Sequence, residues 1–338
     1  MNREDAIAAL RVLRDAFKTF PFADSQRQHD PVLGVDVVDL DYPPGRDESA
    51  FLVGLLTALC RPSLWLAPGF MVVAPQVSGS GSGKGLLARA ICMIALGYHP
   101  RAFTAGHDLQ ELDKRIVAAL VEALPALFLD NVNGMVLRSD TLASALSERP
   151  SSVRPLGKTG TVMLNSTAFI VMTGNGLTVS EDLARRFVRC ELDPQCEDPE
   201  ARPFRPGFLG GIEQRRAEPV SAMLTIWRFG RQNAASIKRG RPFGSYEDWR
   251  EWVRDPLLDL GCRDPVEQVE VVKAHDPHRQ RIGELFTTWD RWHGNAPTRA
   301  AHLAEASPPV LIRHRDLNFC NRCGGGYAAT PRRLPPPL

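Results

Sequence analysis

Long apolar stretches are absent from the 338-residue sequence, since no run approaches the roughly 20 residues that a membrane-spanning helix needs. Residues 1–17 are charged and have helical periodicity, so they lack the apolar core of a secretory signal peptide. The formal net charge is only +2, so a surface that binds nucleic acid would have to be local. We therefore expect a cytoplasmic protein with no membrane partner.

Cysteines are few and scattered. Their number is seven, and an odd, dispersed set predicts reduced thiols rather than a disulfide framework. Cys320 and Cys323 form one CxxC pair, but a zinc site needs two more ligands, and His302 and His314 lack ligand-like spacing. A lone CxxC gives little support for a metal site.

Apolar runs typical of buried parallel strands alternate with segments of helical periodicity between about residues 70 and 192. This alternation predicts an α/β fold in which helices cover a parallel sheet. The predicted strands are 70–75, 126–130 and 168–175; the predicted helices are 4–18, 48–60, 85–97, 109–124 and much of 209–260; and a hairpin with its tip at 157–160 is predicted over 152–165.

A glycine-rich stretch, SGSGSGKG, lies between the first predicted strand of the core and a predicted helix. A flexible linker would be flanked by polar sequence, so this context favours a loop that binds phosphate. The backbone N–H groups of such a loop and the positive end of the following helix attract anions, and Lys84 would reach the β- and γ-phosphates. The alternative is a glycine-rich turn without a ligand. The predicted phosphate-binding residues are Ser78, Gly79, Ser80, Gly81, Ser82, Gly83, Lys84 and Gly85.

The loop departs from the usual pattern G-x-x-x-x-G-K-[ST] at both ends. Ser78 stands in place of the first glycine, and Gly85 in place of the final hydroxyl residue. That hydroxyl ordinarily binds Mg²⁺, so the ion would have to be held by phosphates, water and another carboxylate. Asp130, at the carboxyl end of a predicted strand, is the expected metal-binding acid, although an Asp there is also a common turn cap.

The general base has no clear candidate. Many ATPases with a phosphate-binding loop of this kind carry a glutamate directly after the metal-binding Asp, and it polarises the attacking water. Here Asn131 occupies that position. Glu111 and Asp113 are candidates on the helix 109–124, and a solvated helix face is the alternative for both.

Two further polar groups follow in order along the chain. Asn175 ends a buried strand and is expected to orient water or contact the γ-phosphate, with an Asn-Gly turn as the alternative. Arg185 and Arg186 are candidates for an arginine finger that reaches the nucleotide of a neighbouring subunit. A surface helix with paired arginines is the alternative for this pair.

The predicted hairpin carries Arg154 and, near its tip, Lys158, which are expected to contact DNA phosphates without reading bases. An ordinary hairpin with exposed basic residues is the alternative. A second basic stretch spans 228–241 and is compatible with phosphate binding or with a solvated helix end. The spacing of Trp227, Trp249 and Trp252 favours core packing over base stacking.

Over residues 50–260 the ordered set of motifs resembles the primase-helicase ATPases of phages, plasmids and integrated elements. These belong with the superfamily 3 helicases, a branch of the ring-forming AAA+ type of P-loop NTPase. The resemblance rests on SGSGSGKGLLARAI, on ELDKRI followed by ALFLDNVNG, on the stretch from SERPSS through the hairpin to SEDLARRFV, and on GRPFGSYEDW.

The resemblance implies an ATP-dependent DNA motor that acts in replication of a mobile element as a homo-oligomeric, hexameric ring, with ATP and Mg²⁺ as cofactors and single-stranded DNA as partner. Lys84 would be the phosphate lysine, Asp130 the metal acid, Asn175 the sensor, Arg185 or Arg186 the finger, and Lys158 part of the DNA-gripping hairpin. A nucleotide-dependent switch or loader that hydrolyses slowly, or not at all, is the alternative. The expected division of the chain is an N-terminal helical segment (1–62), an ATPase core (63–205), a C-terminal helical region (206–300) and a disordered or truncated tail (301–338).

Overall fold

The computed structural model describes residues 2–76, 81–104, 109–133, 136–155, 160–196, 199, 207–267 and 277–294. Residues 1–280 form one compact unit, and residues 281–338 form a second. Several predicted features lie outside the described residues: Ser78, Gly79, Ser80, the hairpin tip with Lys158, and the segment with His302, His314, Cys320 and Cys323.

The strands, in chain order, are β1 (Arg27–Asp30), β2 (Val35–Val38), β3 (Gly69–Ala74), β4 (Ala102–Thr104), β5 (Ala126–Asp130), β6 (Val136–Leu137), β7 (Ser151–Val153), β8 (Val162–Leu164), β9 (Phe169–Asn175), β10 (Thr178–Val179) and β11 (Phe187–Glu191). The helices are α1 (Arg3–Phe17), α2 (Arg46–Cys60), α3 (Lys84–Leu96), α4 (Leu109–Val121), α5 (Asp140–Ser147), α6 (Glu181–Ala184), α7 (Phe208–Gln214), α8 (Ala217–Asn233), α9 (Glu247–Trp249), α10 (Asp255–Asp259) and α11 (Pro277–His293). A 3₁₀ turn (Arg61–Ser63) follows α2, and a π-helical turn (Arg250–Arg254) joins α9 to α10.

A five-stranded parallel sheet forms the centre of the first unit, in the order β11–β3–β9–β5–β4. Its inner strands are apolar on both faces: in β3, Phe70 and Val72 pack on one side, and Met71 and Val73 on the other. A parallel strand buried on both faces needs a continuous apolar run rather than an alternating one. The predicted α/β fold with helices covering a parallel sheet is therefore confirmed.

Helices cover the sheet in two layers. The core on one face contains α2 and α3, and the core on the other contains α4, α5 and α6. The chain leaves β3 toward α3 on the first face, whereas it leaves the neighbouring β9 toward α6 on the second. Adjacent strands whose connections diverge in this way open a crevice at their carboxyl ends, which is where open α/β sheets bind ligands.

The N-terminal and C-terminal helices of this unit extend the first core. Leu13 of α1, Ile226 of α8 and Trp249 of α9 are buried in the same cluster as α2. Trp249 is 0% exposed, and its Nε1–H donates a hydrogen bond to Thr57 Oγ1 at 2.8 Å. Core packing is thus confirmed for Trp249, while Trp227 and Trp252 are half-buried against this cluster.

A small antiparallel hairpin, β1–β2, occupies part of the stretch before Gly45 that the sequence indicates only as polar turns. Its first strand, RQHD, is polar and partly exposed, so it has no apolar alternation that would predict a strand. The turn between the strands is stabilised by Asp30, whose Oδ1 accepts from the N–H groups of Val32 and Leu33.

The described cysteines are free thiols, as predicted. Cys60, Cys92, Cys190 and Cys262 are buried, and burial raises the pKa of the Cys92 thiol to about 12. Across the described part of the chain, no helix combines the length and the apolarity needed to cross a membrane.

Replacing Trp249 with Phe is expected to lower the free energy of unfolding by about 2 to 4 kcal/mol, because it removes a buried hydrogen bond and leaves a cavity against α2. Urea denaturation followed by circular dichroism measures this. Trp65→Phe is the control, since Trp65 is 57% exposed and its replacement should change stability by less than about 0.5 kcal/mol. Equal effects of the two variants would contradict the packing of α9 on α2.

Candidate functional site

The carboxyl ends of β3, β9 and β5 meet at one edge of the sheet. Residue Ala74 of β3 is in register with Asn175 of β9, and Leu129 of β5 is in register with Met172 of β9. Parallel pairing therefore brings the glycine-rich loop, Asp130 and Asn175 to the same edge, although they lie far apart in the sequence.

The described part of the loop adopts a conformation that depends on glycine. Gly81 and Gly83 have φ angles of 70° and 94°, in the left-handed region that other residues enter only with strain. Gly83 is the N-cap of α3, and within the described residues no side chain caps this helix terminus. The first turn of an α-helix carries backbone N–H groups that have no partner within the helix, and the helix dipole favours negative charge there.

Lys84 begins α3 and turns back toward the loop. Its side chain is only 8% exposed, and Nζ donates a hydrogen bond to Ser82 Oγ at 3.1 Å. Burial lowers the pKa of Lys84 from its usual value, and the nearby Asp130 carboxylate partly opposes this shift. A partly desolvated ammonium at a helix N-terminus gains much from an anionic ligand, because it has given up part of its hydration.

Gly85 lies directly against Asp130. A Cβ atom built on Gly85 would lie 3.7 Å from Asp130 Oδ1 and 4.0 Å from Oδ2, which is ordinary van der Waals contact. A hydroxyl side chain at position 85 would therefore point into the space beside this carboxylate. The Ser or Thr of the usual pattern is absent at position 85, whereas Asp130, the carboxylate expected to bind the same metal ion, is present.

Two groups that were not identified from the sequence contact Asp130. Thr173 Oγ1, on β9, donates to Asp130 Oδ1 at 2.6 Å. Arg89 Nη2, one helical turn after Gly85, lies 3.8 Å from Asp130 Oδ2, and its guanidinium stacks over the Phe128 ring at 5.2 Å. The i, i+4 spacing of Gly85 and Arg89 was a usable indication that both share one face of α3.

Asn175 is held at the end of β9 by a loop that leaves β5. Its backbone N–H donates to Asn133 Oδ1 at 2.6 Å. Its own side-chain Oδ1 is buried and has no hydrogen-bond partner among the described residues. Buried acceptors are almost always paired, so this oxygen is a candidate to accept a hydrogen bond from a ligand or water at the sheet edge.

The candidate bases are engaged elsewhere. Glu111 forms ion pairs with Lys114 and Arg115 on the exposed face of α4, which agrees with the solvated-face alternative. Asp113 accepts a hydrogen bond from Ser139, the N-cap residue of α5. Asn131 is exposed and has φ 58°. In the part of the chain that the structure describes, no cluster of three or more His, Cys, Asp or Glu residues could hold a metal, so Asp130 is a single acid there.

Arg185 and Arg186 lie at the opposite end of the sheet from the loop. The Arg186 carbonyl accepts from the N–H of Gly69, the first residue of β3, whereas the loop follows the last residue of that strand. Five strand intervals of about 3.3 Å separate these ends by roughly 16 Å. Both arginines contact Asp182, and the hydrogen bond from Arg186, reinforced by Arg185, lowers the pKa of this carboxyl group.

The predicted hairpin is formed by β7 and β8, which pair antiparallel. Arg154 directly follows β7 and is exposed, whereas the tip with Lys158 is outside the described residues. Of the second basic stretch, Arg231 stacks on the Trp252 ring at 4.0 Å, and the Arg241 carbonyl accepts from Arg254.

No protein-family model matches this chain, and no curated protein shows significant similarity to it. Function has to be inferred from the geometry of the sheet edge and from the motifs themselves.

Substituting Gly83 with Ala is expected to lower the free energy of unfolding by about 1 to 2 kcal/mol, because alanine is strained at a φ of 94°. Chemical denaturation is the measurement. Gly160→Ala is the matched control, since a Cβ at Gly160 meets nothing within 4 Å and its φ is not positive. A Gly83→Ala variant as stable as Gly160→Ala would contradict the left-handed loop.

Proposed function

We propose that this chain is a P-loop ATPase that binds ATP and Mg²⁺ at the carboxyl edge of its sheet and acts on DNA as a ring-shaped homo-oligomer. The observation that carries the proposal is the adjacency of Gly85, Lys84 and Asp130. A lysine with lowered hydration, the N-terminus of α3 and a strand-end carboxylate lie close together. Each of these groups fits a different part of a metal-bound triphosphate.

The phosphate groups are expected to bind the loop N–H groups and the first turn of α3, with Lys84 exchanging Ser82 Oγ for phosphate oxygens. Mg²⁺ fits the donor set, because Asp130 supplies a carboxylate oxygen and the small residue at 85 leaves space beside it. When bound, the ion neutralises charge that develops on the phosphoryl oxygens. Asn175 Oδ1, which lacks a partner among the described residues, would accept a hydrogen bond from the attacking water.

The position of Arg185 and Arg186 supports a role at the nucleotide of a neighbouring subunit rather than within the same chain. Roughly 16 Å of β3 separates them from the loop, which is beyond the reach of an arginine side chain that is anchored on Asp182. A ring built by head-to-tail contacts would bring this end of one subunit to the loop of the next. An arginine supplied in that way stabilises the charge of the transition state.

DNA binding is proposed for the β7–β8 hairpin through Arg154 and Lys158. The resemblance to superfamily 3 helicases is the main support for this part. Contacts of this kind to backbone phosphates would be independent of base sequence and would weaken as salt rises.

A second candidate function is a nucleotide-dependent switch or loader with little hydrolysis. Two features of the site favour it: Gly85 offers no metal ligand, and Asn131 occupies the position where a glutamate would polarise water. ATP turnover that is absent, or that does not respond to single-stranded DNA, would select the switch over the motor.

Lys84→Ala is expected to weaken ATP binding about 10- to 100-fold, the loss that follows from removing one charge-assisted hydrogen-bond donor to phosphate. Fluorescence anisotropy with a labelled ATP analogue measures it. Lys114→Ala is the control, since Lys114 is an exposed lysine whose partner is Glu111. Equal affinities of both variants and the wild type would contradict the proposed nucleotide site.

Mixing Lys84→Ala with Arg186→Ala tests whether the arginine acts in trans. Each variant alone should be inactive, but in mixed rings some sites combine an intact loop with an intact arginine, so about a quarter of wild-type ATPase should return. The same mixture with Arg185→Ala identifies which of the two arginines is the finger. A mixture as inactive as its components, under conditions where rings exchange subunits, would contradict the trans assignment.

A further inference from the structure

Thr173 is a buried polar residue in the middle of an apolar strand. The residue is 1% exposed, it lies in register with Val72 of β3, and the four residues of β9 before it are all apolar. A buried hydroxyl is costly unless its hydrogen bonds are satisfied. The two residues that satisfy this one are Asp130, the last residue of β5, and Asn131, which follows it.

The two hydrogen bonds of the Thr173 side chain have defined directions. The backbone N–H of Asn131 donates to Oγ1 at 3.2 Å, so Oγ1 is the acceptor there. Oγ1 lies 2.6 Å from Asp130 Oδ1, and an ionised carboxylate only accepts, so the hydroxyl proton points at Oδ1. Thr173 therefore fixes both the backbone after Asp130 and the orientation of its carboxylate.

The same carboxylate oxygen is the one nearest to position 85. A Cβ on Gly85 would lie 3.7 Å from Oδ1, so a serine there would place its hydroxyl close to the same oxygen. In this chain the hydroxyl beside Asp130 comes from β9 and none comes from α3. Resting on the proposed nucleotide site, we propose that Thr173 is a positioning residue that orients Asp130 toward Mg²⁺ and thereby compensates for the missing hydroxyl at position 85.

Arg89 shows why this orientation matters. Its Nη2 lies 3.8 Å from Oδ2, and its guanidinium is held over the Phe128 ring. Without the hydrogen bond from Thr173, the carboxylate is free to rotate into a closer ion pair with Arg89. That pair competes with a divalent cation for the same oxygens, so the loss of the hydroxyl should weaken metal binding more than phosphate binding.

The test is the ratio of ATP affinities measured with Mg²⁺ and with EDTA, together with the affinity for Mn²⁺ in the presence of ATP by electron paramagnetic resonance. Thr173→Val should reduce the Mg²⁺-dependent gain in ATP affinity about tenfold and leave the affinity in EDTA within about twofold of wild type. Thr173→Ser keeps the hydroxyl and should retain the wild-type ratio. The double variant Thr173→Val/Gly85→Ser should recover much of the wild-type ratio of ATP affinities with Mg²⁺ and with EDTA, because the serine on α3 again places a hydroxyl beside Asp130.

Thr57→Val is the matched control. Thr57 is also buried, and its hydroxyl also makes two hydrogen bonds: it donates to the Val53 carbonyl and accepts from Trp249. Removing this hydroxyl should lower stability in a similar way but leave the candidate site unchanged. If Thr173→Val does not fold, Thr173→Cys keeps the size of the side chain and weakens the donor. Rescue by Gly85→Ser in either background supports the proposal, since a purely structural role would not be rescued from another element.

Two results overturn different claims. A wild-type chain that binds ATP without any gain from Mg²⁺, or does not bind it, refutes the proposed nucleotide site and this inference with it. If the wild-type chain shows a clear Mg²⁺-dependent gain in ATP affinity and Thr173→Val shows the same gain, only the role of Thr173 is refuted.

Discussion

The pairing of β9 between β3 and β5 is the constraint on which the candidate site depends. Residues 83–85, 130 and 173–175 are widely separated along the chain, and parallel hydrogen bonding at fixed register is what brings them to one edge. Both faces of these strands are buried, so slipping the register would move polar strand ends into the apolar core. The fold thereby holds Asp130 beside the start of α3 and buries Lys84, whose charge is partly desolvated.

The sheet also separates two sets of charges. The loop, Asp130 and Asn175 occupy its carboxyl edge, while Arg185, Arg186 and Asp182 occupy the amino end next to Gly69. Within one molecule, the length of β3 therefore lies between the glycine-rich loop and this arginine pair. The trans role proposed above for Arg185 or Arg186 rests on this separation.

Much of the core could be predicted from the sequence, because the strands of the parallel sheet that are buried on both faces appear as apolar runs, as in 126–130 and 168–175. The predicted helix 85–97 also agrees with α3 (Lys84–Leu96) to within one residue at each end. The hairpin β1–β2 and the three-residue β4 were not, because polar or very short strands carry no periodicity.

The site was only half predictable. Asp130 and Asn175 are polar residues at strand ends, whereas Thr173 looked like an ordinary member of a strand, since threonine has high strand propensity. Its importance depends on which strand lies next to β9, and strand order cannot be derived from apolar runs. The same is true of the distance between the loop and Arg186, which follows from the pairing of β11 with the start of β3.

A crystal structure of the chain with a non-hydrolysable ATP analogue and Mn²⁺ would show directly whether the carboxyl edge of the sheet binds a metal-bound triphosphate. Triphosphate density is expected along residues 78–85, with an anomalous Mn²⁺ peak beside the Asp130 carboxylate. An analogue bound elsewhere, for example in the groove lined by Asp15, Lys18 and Arg215, or a Mn²⁺ peak remote from Asp130, would contradict it.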